Sequence, residues 1–160
     1  MFSITLLVVG KLKEKFYQAA VDEYAKRLQA FCKFQLIELP EYRLSDNPSQ
    51  TEIQAALAKE FEMLRPKLPK GAWLCVLTPE GAMQSSEQLA NTLKQVKLGG
   101  KSAACFVIGS SFGMAPELKQ MADLRLSMSR MTFPHHLARV MVLEQLYRAE
   151  SIQAGTKYHK

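Results

Sequence analysis

The sequence predicts an α/β protein built on a parallel β-sheet, and three observations carry that expectation. Short apolar runs alternate with segments of helical periodicity along the 160 residues. The strand-like runs are continuously apolar, as in Cys105-Phe106-Val107-Ile108, which suits strands covered on both faces. No repeat, low-complexity tract or linker breaks the pattern, so one domain over residues 1–160 is expected.

Taken in order, Phe2 to Val9 is an apolar run stopped by Gly10, and it predicts the first strand. From Glu14 onward, Phe16, Tyr17, Ala20, Val21, Tyr24, Leu28 and Phe31 recur at helical spacing. Phe34 to Leu39 predicts a second strand, ended by Pro40, and residues 40–48 are polar and loop-like. Ser49 with Glu52 has the spacing of a capping box and opens a helix that reaches about Leu64. Trp73 to Leu77 predicts a third strand, with Thr78-Pro79-Glu80-Gly81 as the turn beyond it. Ser85 with Gln88 repeats the capping-box spacing before a helix ending at Gly99-Gly100. Ala103 to Ile108 is the fourth strand, Pro116 opens a short helix, and Leu124 to Met128 is the fifth strand. A last helix runs from about Pro134 to Gln153. Its apolar residues, Leu137, Ala138, Val140 to Leu143, Leu146 and Tyr147, cover nearly the whole circumference. Such a helix is buried on more than one side. Either it is wedged within its own core or a second subunit covers it, and the small size of the chain favours the second subunit.

Composition narrows the function classes. No apolar run approaches the roughly 20 residues of a membrane span, and the first residues lack a basic leader with a small-residue cleavage site. A cytoplasmic protein with no membrane partner is therefore expected. Cys32, Cys75 and Cys105 are too widely spaced for a zinc site, and their odd number argues against a disulfide framework; Cys75 and Cys105, inside apolar runs, read as small core residues. Lys and Arg exceed Asp and Glu by 21 to 15, and residues 97–160 hold nine of the basic side chains against four acidic ones. Either a polyanion docks on that stretch or it is a solvated basic surface.

In an open parallel sheet, ligands bind beyond the carboxyl ends of the strands. Three such ends carry unusual residues: Leu77 to Gly81, Gly109 to Gly113, and Ser127 to Pro134. Gly109-Ser110-Ser111-Phe112-Gly113 permits close backbone approach to a ligand. It also fits the Gly-x-Ser-x-Gly elbow of serine hydrolases, with Ser111 as nucleophile and Asp123 or Glu144 with His159 as partners. A glycine turn without chemistry is the third reading. A dinucleotide fingerprint is absent. Lys11, Lys13 and Lys15 are either RNA contacts or simply exposed. The densest polar stretch, Ser129 to Arg139, leads from a strand end into a helix N-terminus, where free N–H groups favour anions. No carboxylate or cysteine completes a metal site with His135 and His136, so no metal is expected.

Together these segments resemble the ribosomal RNA large subunit methyltransferase H family of the SPOUT superfamily. The resemblance rests on Val8-Val9-Gly10-Lys11-Leu12-Lys13, Ser85-Ser86-Glu87 and Phe106-Val107-Ile108-Gly109. It continues through Leu126 to His135, Arg139-Val140, Glu144 to Ala149 and Tyr158-His159-Lys160. It spans the whole chain in order, and the block from Met131 to Ala149 is its most specific part.

The resemblance implies a SPOUT fold with a C-terminal trefoil knot, a homodimer paired through its last helices, and S-adenosylmethionine as methyl donor. It implies methylation of N3 of a pseudouridine in 23S rRNA, with the assembled ribosome as preferred substrate. The matching donor positions are Leu77, Gly109, Met128, Ser129, Arg130, Met131, Thr132 and Phe133. Within this implied reaction, His159 is the candidate base or proton relay, because imidazole titrates near neutrality; a stacking or phosphate contact is its other reading. Tyr158 is a candidate base-stacking residue, and Arg139, Arg148 and Lys160 are candidate phosphate contacts. A non-catalytic RNA-binding module is the remaining alternative. Three positions depart from the family pattern: Ser110 stands for a glycine, Thr78 for an acid and Ala82 for a basic residue.

Overall fold

A computed structural model describes residues 1–160. Five parallel strands, β1 (Ser3–Val9), β2 (Lys33–Leu39), β3 (Trp73–Met83), β4 (Ala103–Ile108) and β5 (Leu124–Ser127), lie in the order β2-β1-β4-β3-β5. The helices are α1 (Lys15–Leu28), α2 (Gln50–Leu64), α3 (Ser86–Leu98), α4 (Pro116–Met121) and α5 (His135–Gln153). A short 3₁₀ turn, Arg65–Lys67, follows α2. Thus the α/β architecture with a five-stranded parallel sheet is as the sequence predicts.

Continuous apolar strands make two cores, because successive side chains point to opposite faces. Leu6, Val8, Phe106 and Ile108 face α1, α3 and α5, meeting Val21, Leu93, Leu143 and Leu146. Leu7, Val9, Cys105 and Val107 face the other way, onto Leu64, Met114 and Leu118 of the α2–α4 layer. All three cysteines are buried and unbonded; burial pushes the thiols of Cys32 and Cys105 up to about 12, far from reactivity.

Both predicted capping boxes form. Ser49 Oγ accepts from the Glu52 N–H, and Ser85 Oγ accepts from the Gln88 N–H. Two boundaries differ from expectation. The first helix stops at Leu28, leaving Phe31 beyond it, and the third strand does not end at Leu77. Leu77 and Ala82 both pair with Leu126, so Thr78 to Gly81 bulge out of a strand that resumes alongside β5. Gly81 permits this: a Cβ there would sit 2.6 Å from the Arg125 backbone carbonyl. Proline and glycine signalled the interruption, while pairing across the sheet carried the strand through it.

α5 packs between α1 and α3, burying Val142, Leu143, Leu146 and Ala149. Val140 and Met141 are only partly buried and line an open groove of about 570 Å³ with Tyr24, Leu89 and Glu144. No helix is long and apolar enough to cross a membrane.

Candidate donor cleft and the C-terminal tail

A cleft of about 600 Å³ opens at the bulge of β3 and beyond the carboxyl ends of β4 and β5. It gathers all three strand-end segments singled out in the sequence. Leu77, Gly109, Met128, Ser129, Arg130, Met131, Thr132 and Phe133 all line it, together with Thr78, Ser110, Ser111 and His135.

One wall is a tight turn. The Ser110 N–H donates to the Gly113 carbonyl at 3.0 Å, and the Gly113 N–H donates back to Ser110 O at 2.9 Å. A Cβ on Gly109 would lie 2.2 Å from the Gly113 oxygen, so only glycine admits this closure, while Gly113 has φ +96°. No other residue type in the chain has positive φ, so Ser110 costs the backbone nothing. Its N–H, however, is committed to Gly113 and is not free for a ligand. The opposite wall is the 128–134 loop. There the Met131 N–H donates to Ser129 Oγ (3.0 Å), and the Met131 side chain stands exposed.

Two residues of the lining carry a polar atom closed off from solvent: Thr78 Oγ1, on the Glu80 side of the bulge, and His135 Nε2, beside Gly10. Desolvation, then the neighbouring His136, lowers the His135 pKa, which favours a neutral ring.

A family model described as "Predicted SPOUT methyltransferase" matches residues 2–159. Proteins named Ribosomal RNA large subunit methyltransferase H are similar over essentially the full chain. That of Moorella thermoacetica is 41% identical over 160 residues, covering 100% of both chains. That of Acetivibrio thermocellus is 45% identical over 157 residues, covering 98% of this chain and 99% of the relative. The chain belongs to the ribosomal RNA large subunit methyltransferase H family. A solved structure described as a probable methylase family protein, from Haemophilus influenzae Rd KW20, shares the fold. Its TM-score is 0.52 at 12% identity, over 99% of this chain and 70% of that one.

The fold of this family member gives the serine-hydrolase reading no support. Ser111 Oγ bonds Glu41 Oε1 at 2.8 Å, not a histidine. Asp123 is occupied by the Leu74 N–H at 2.8 Å, and Glu144 by Arg148. No group of three or more His, Cys, Asp or Glu is placed to hold a metal ion.

The predicted RNA and base residues lie elsewhere. His159 is held between Glu87 of α3 (Nε2 to Oε1, 2.7 Å) and Arg148 of α5 (Nδ1 to Nη1, 3.1 Å). Tyr158 packs on Tyr147 with ring centroids 4.6 Å apart, and its hydroxyl donates to Glu144 at 3.2 Å. Lys160 is exposed. None of these residues lines the cleft of its own chain.

Arg139 corrects the sequence reading. Its side chain is 1% exposed, its Nη2 donates to Gly10 O at 2.9 Å, and its Nη1 pairs with Glu38. It is an internal brace between α5 and the ends of β1 and β2, with no surface for a phosphate. The basic excess after residue 97 shrinks for the same reason: Lys97, Lys119, Arg139 and Arg148 are each paired with a carboxylate.

His135 lines the cleft although it was not among the sequence-assigned donor residues. Its place directly after Pro134, at the first position of a helix, was the available signal.

Proposed function

We propose that this chain transfers a methyl group from S-adenosylmethionine to N3 of a pseudouridine in 23S rRNA, as a cytoplasmic homodimer acting on assembled ribosomes. The observation that carries this reading is the cleft: a glycine-only turn faces the 128–134 loop beside the strand ends, in a chain whose relatives are named rRNA methyltransferases. Its volume suits a small-molecule ligand. One SPOUT domain over residues 1–160, with the C-terminal trefoil knot, belongs to the same proposal.

The donor supplies an already activated methyl on a sulfonium, so the protein's work is chiefly positioning and removal of a proton. Backbone groups at Leu77 and in the 128–133 loop would bind and orient it. Leu77, Ile108 and Phe133 would exclude water. Holding the reactants in line converts an encounter into a unimolecular step, which is the largest contribution expected here. The imide nitrogen must shed a proton, and His159 is the proposed acceptor.

A single chain keeps His159 out of its own cleft, which supports a dimer in which one copy's tail serves the other copy's cleft. The groove lined by Tyr24, Leu89, Val140 and Met141 together with Gln84, Ser85 and Gln145 adjoins the cleft through Ser127 and Met128, and it offers a mixed apolar and polar seat for that second copy. Arg148, Tyr158 and Lys160 remain the proposed RNA contacts.

The test is transfer of labelled methyl to ribosomes from a strain lacking the protein, with naked rRNA alongside. Label appearing in 23S rRNA supports the reading. Ribosome binding with no donor uptake would instead identify an RNA-binding module.

A further inference from the structure

The turn at 109–113 separates the cleft from a small apolar space behind it, since Gly109 and Gly113 line both. Behind the turn, among Val9, Leu57, Phe61, Leu64 and Met114, lies a carboxylate. Glu60 of α2 is 5% exposed and takes part in none of the chain's ion pairs. Both of its oxygens are used: Oε1 accepts from Ser110 Oγ at 2.9 Å, and Oε2 accepts from the Tyr42 N–H at 2.9 Å. A carboxylate in such surroundings is costly, and an apolar side chain would pack there without that cost. Burial accordingly pushes its pKa up, while the bonds from Tyr42 and Ser110 pull it back.

The arrangement joins three distant segments at one point: α2, the 40–48 loop and the glycine turn. Glu41 makes a second tie between the same loop and turn, accepting from Ser111 Oγ at 2.8 Å. Ser110 cannot use its own N–H to anchor the turn to the rest of the protein, because that group closes the turn on Gly113. Its hydroxyl is the group that reaches outward, and Glu60 receives it.

We infer that Glu60 is a positioning residue for the donor cleft, holding the glycine turn from behind through Ser110 while fixing the 40–48 loop through Tyr42. Without it, the turn keeps its internal hydrogen bonds but loses its seat on α2, and the donor meets a wall that must be ordered on binding. The inference rests on the reading that this cleft binds S-adenosylmethionine or its demethylated product.

Calorimetry with S-adenosylhomocysteine on the full-length wild type, Glu60→Met, Ser110→Ala and the double variant separates the two. Methionine is the informative replacement, because a glutamine could accept from the Tyr42 N–H and donate to Ser110 Oγ and so keep both ties. No uptake by the wild type defeats the cleft reading itself. With wild-type uptake, Glu60→Met is expected to weaken binding roughly tenfold, the scale of one lost charge-assisted hydrogen bond. Ser110→Ala should cost about threefold, and the double variant should match Glu60→Met alone, because the two share one contact. In turnover, KM for the donor should rise while kcat at saturating donor stays within about twofold. Wild-type affinity in Glu60→Met, even with a changed Tm, overturns the inference and leaves Glu60 as structure only. Should Glu60→Met fail to fold, Ser110→Ala removes a single hydroxyl, and unchanged affinity there overturns it equally.

Discussion

The cleft at the N-terminal end of α5 and the tail packed along its C-terminal half treat charge in opposite ways. Arg130 and His135 line the cleft, and neither takes part in an ion pair. Along the C-terminal half, Glu144 takes Arg148 and Tyr158, while His159 bridges Arg148 and Glu87. One region leaves its cationic and titratable groups without a carboxylate, and the other is electrostatically closed. An exposed, unpaired guanidinium such as that of Arg130 is open to an anionic group of a ligand. A closed network offers little to a ligand until something opens it, which for the tail would be RNA or a second copy of the chain.

The sharpest way to break this contrast is at the brace beneath the cleft. Arg139→Ala removes a buried cation and strands the Gly10 carbonyl, so unfolding in urea should show a loss of about 3 kcal/mol. Arg139→Lys cannot reproduce the fork and should recover only part of it. If Arg139 held RNA instead, ribosome affinity would fall with stability intact.

Next in size is the turn. Gly109→Ala puts a Cβ against the Gly113 oxygen and must open the closure. Donor affinity should fall by roughly a hundredfold, a strain of about 2–3 kcal/mol, with the circular dichroism spectrum retained.

At the closed end, His159→Ala should lower single-turnover methyl transfer by at least about tenfold and leave donor affinity intact. An unchanged rate removes His159 from the chemistry. Transfer should also fall steeply with added salt, and a flat response would count against phosphate contacts.

The smallest effect concerns pH. Burial lowers the His135 pKa below its ordinary value near 6.5, which favours the neutral ring in the fold. A depressed histidine contributes stability that is present above its unfolded pKa and lost as pH falls through the folded one. Protonation would also set a second positive charge beside a sulfonium. Donor affinity should therefore weaken by about threefold on acidification below pH 6, and His135→Gln should flatten the profile.

Much of this protein is written locally in its residues. Element order, two capping boxes, the parallel sheet and the three strand ends that form the cleft all follow from periodicity and from Gly, Pro and Ser placement. These signals act over three or four neighbouring positions, so a single sequence carries them. Even the departure at Ser110 could be framed in advance, as a question of φ.

Tertiary structure alone decided the destinations of the charges. Arg139 meets Gly10 across 129 positions, Glu60 meets Ser110 across 50, and His159 meets Glu87 across 72. A polar side chain on a helix has the same local pattern whether it faces water, a neighbour or a ligand. Only the packing of α5 against β1, β2 and α3, and of α2 behind the glycine turn, selects among those outcomes. That selection turned a supposed phosphate contact into a brace and gave the turn its buried carboxylate.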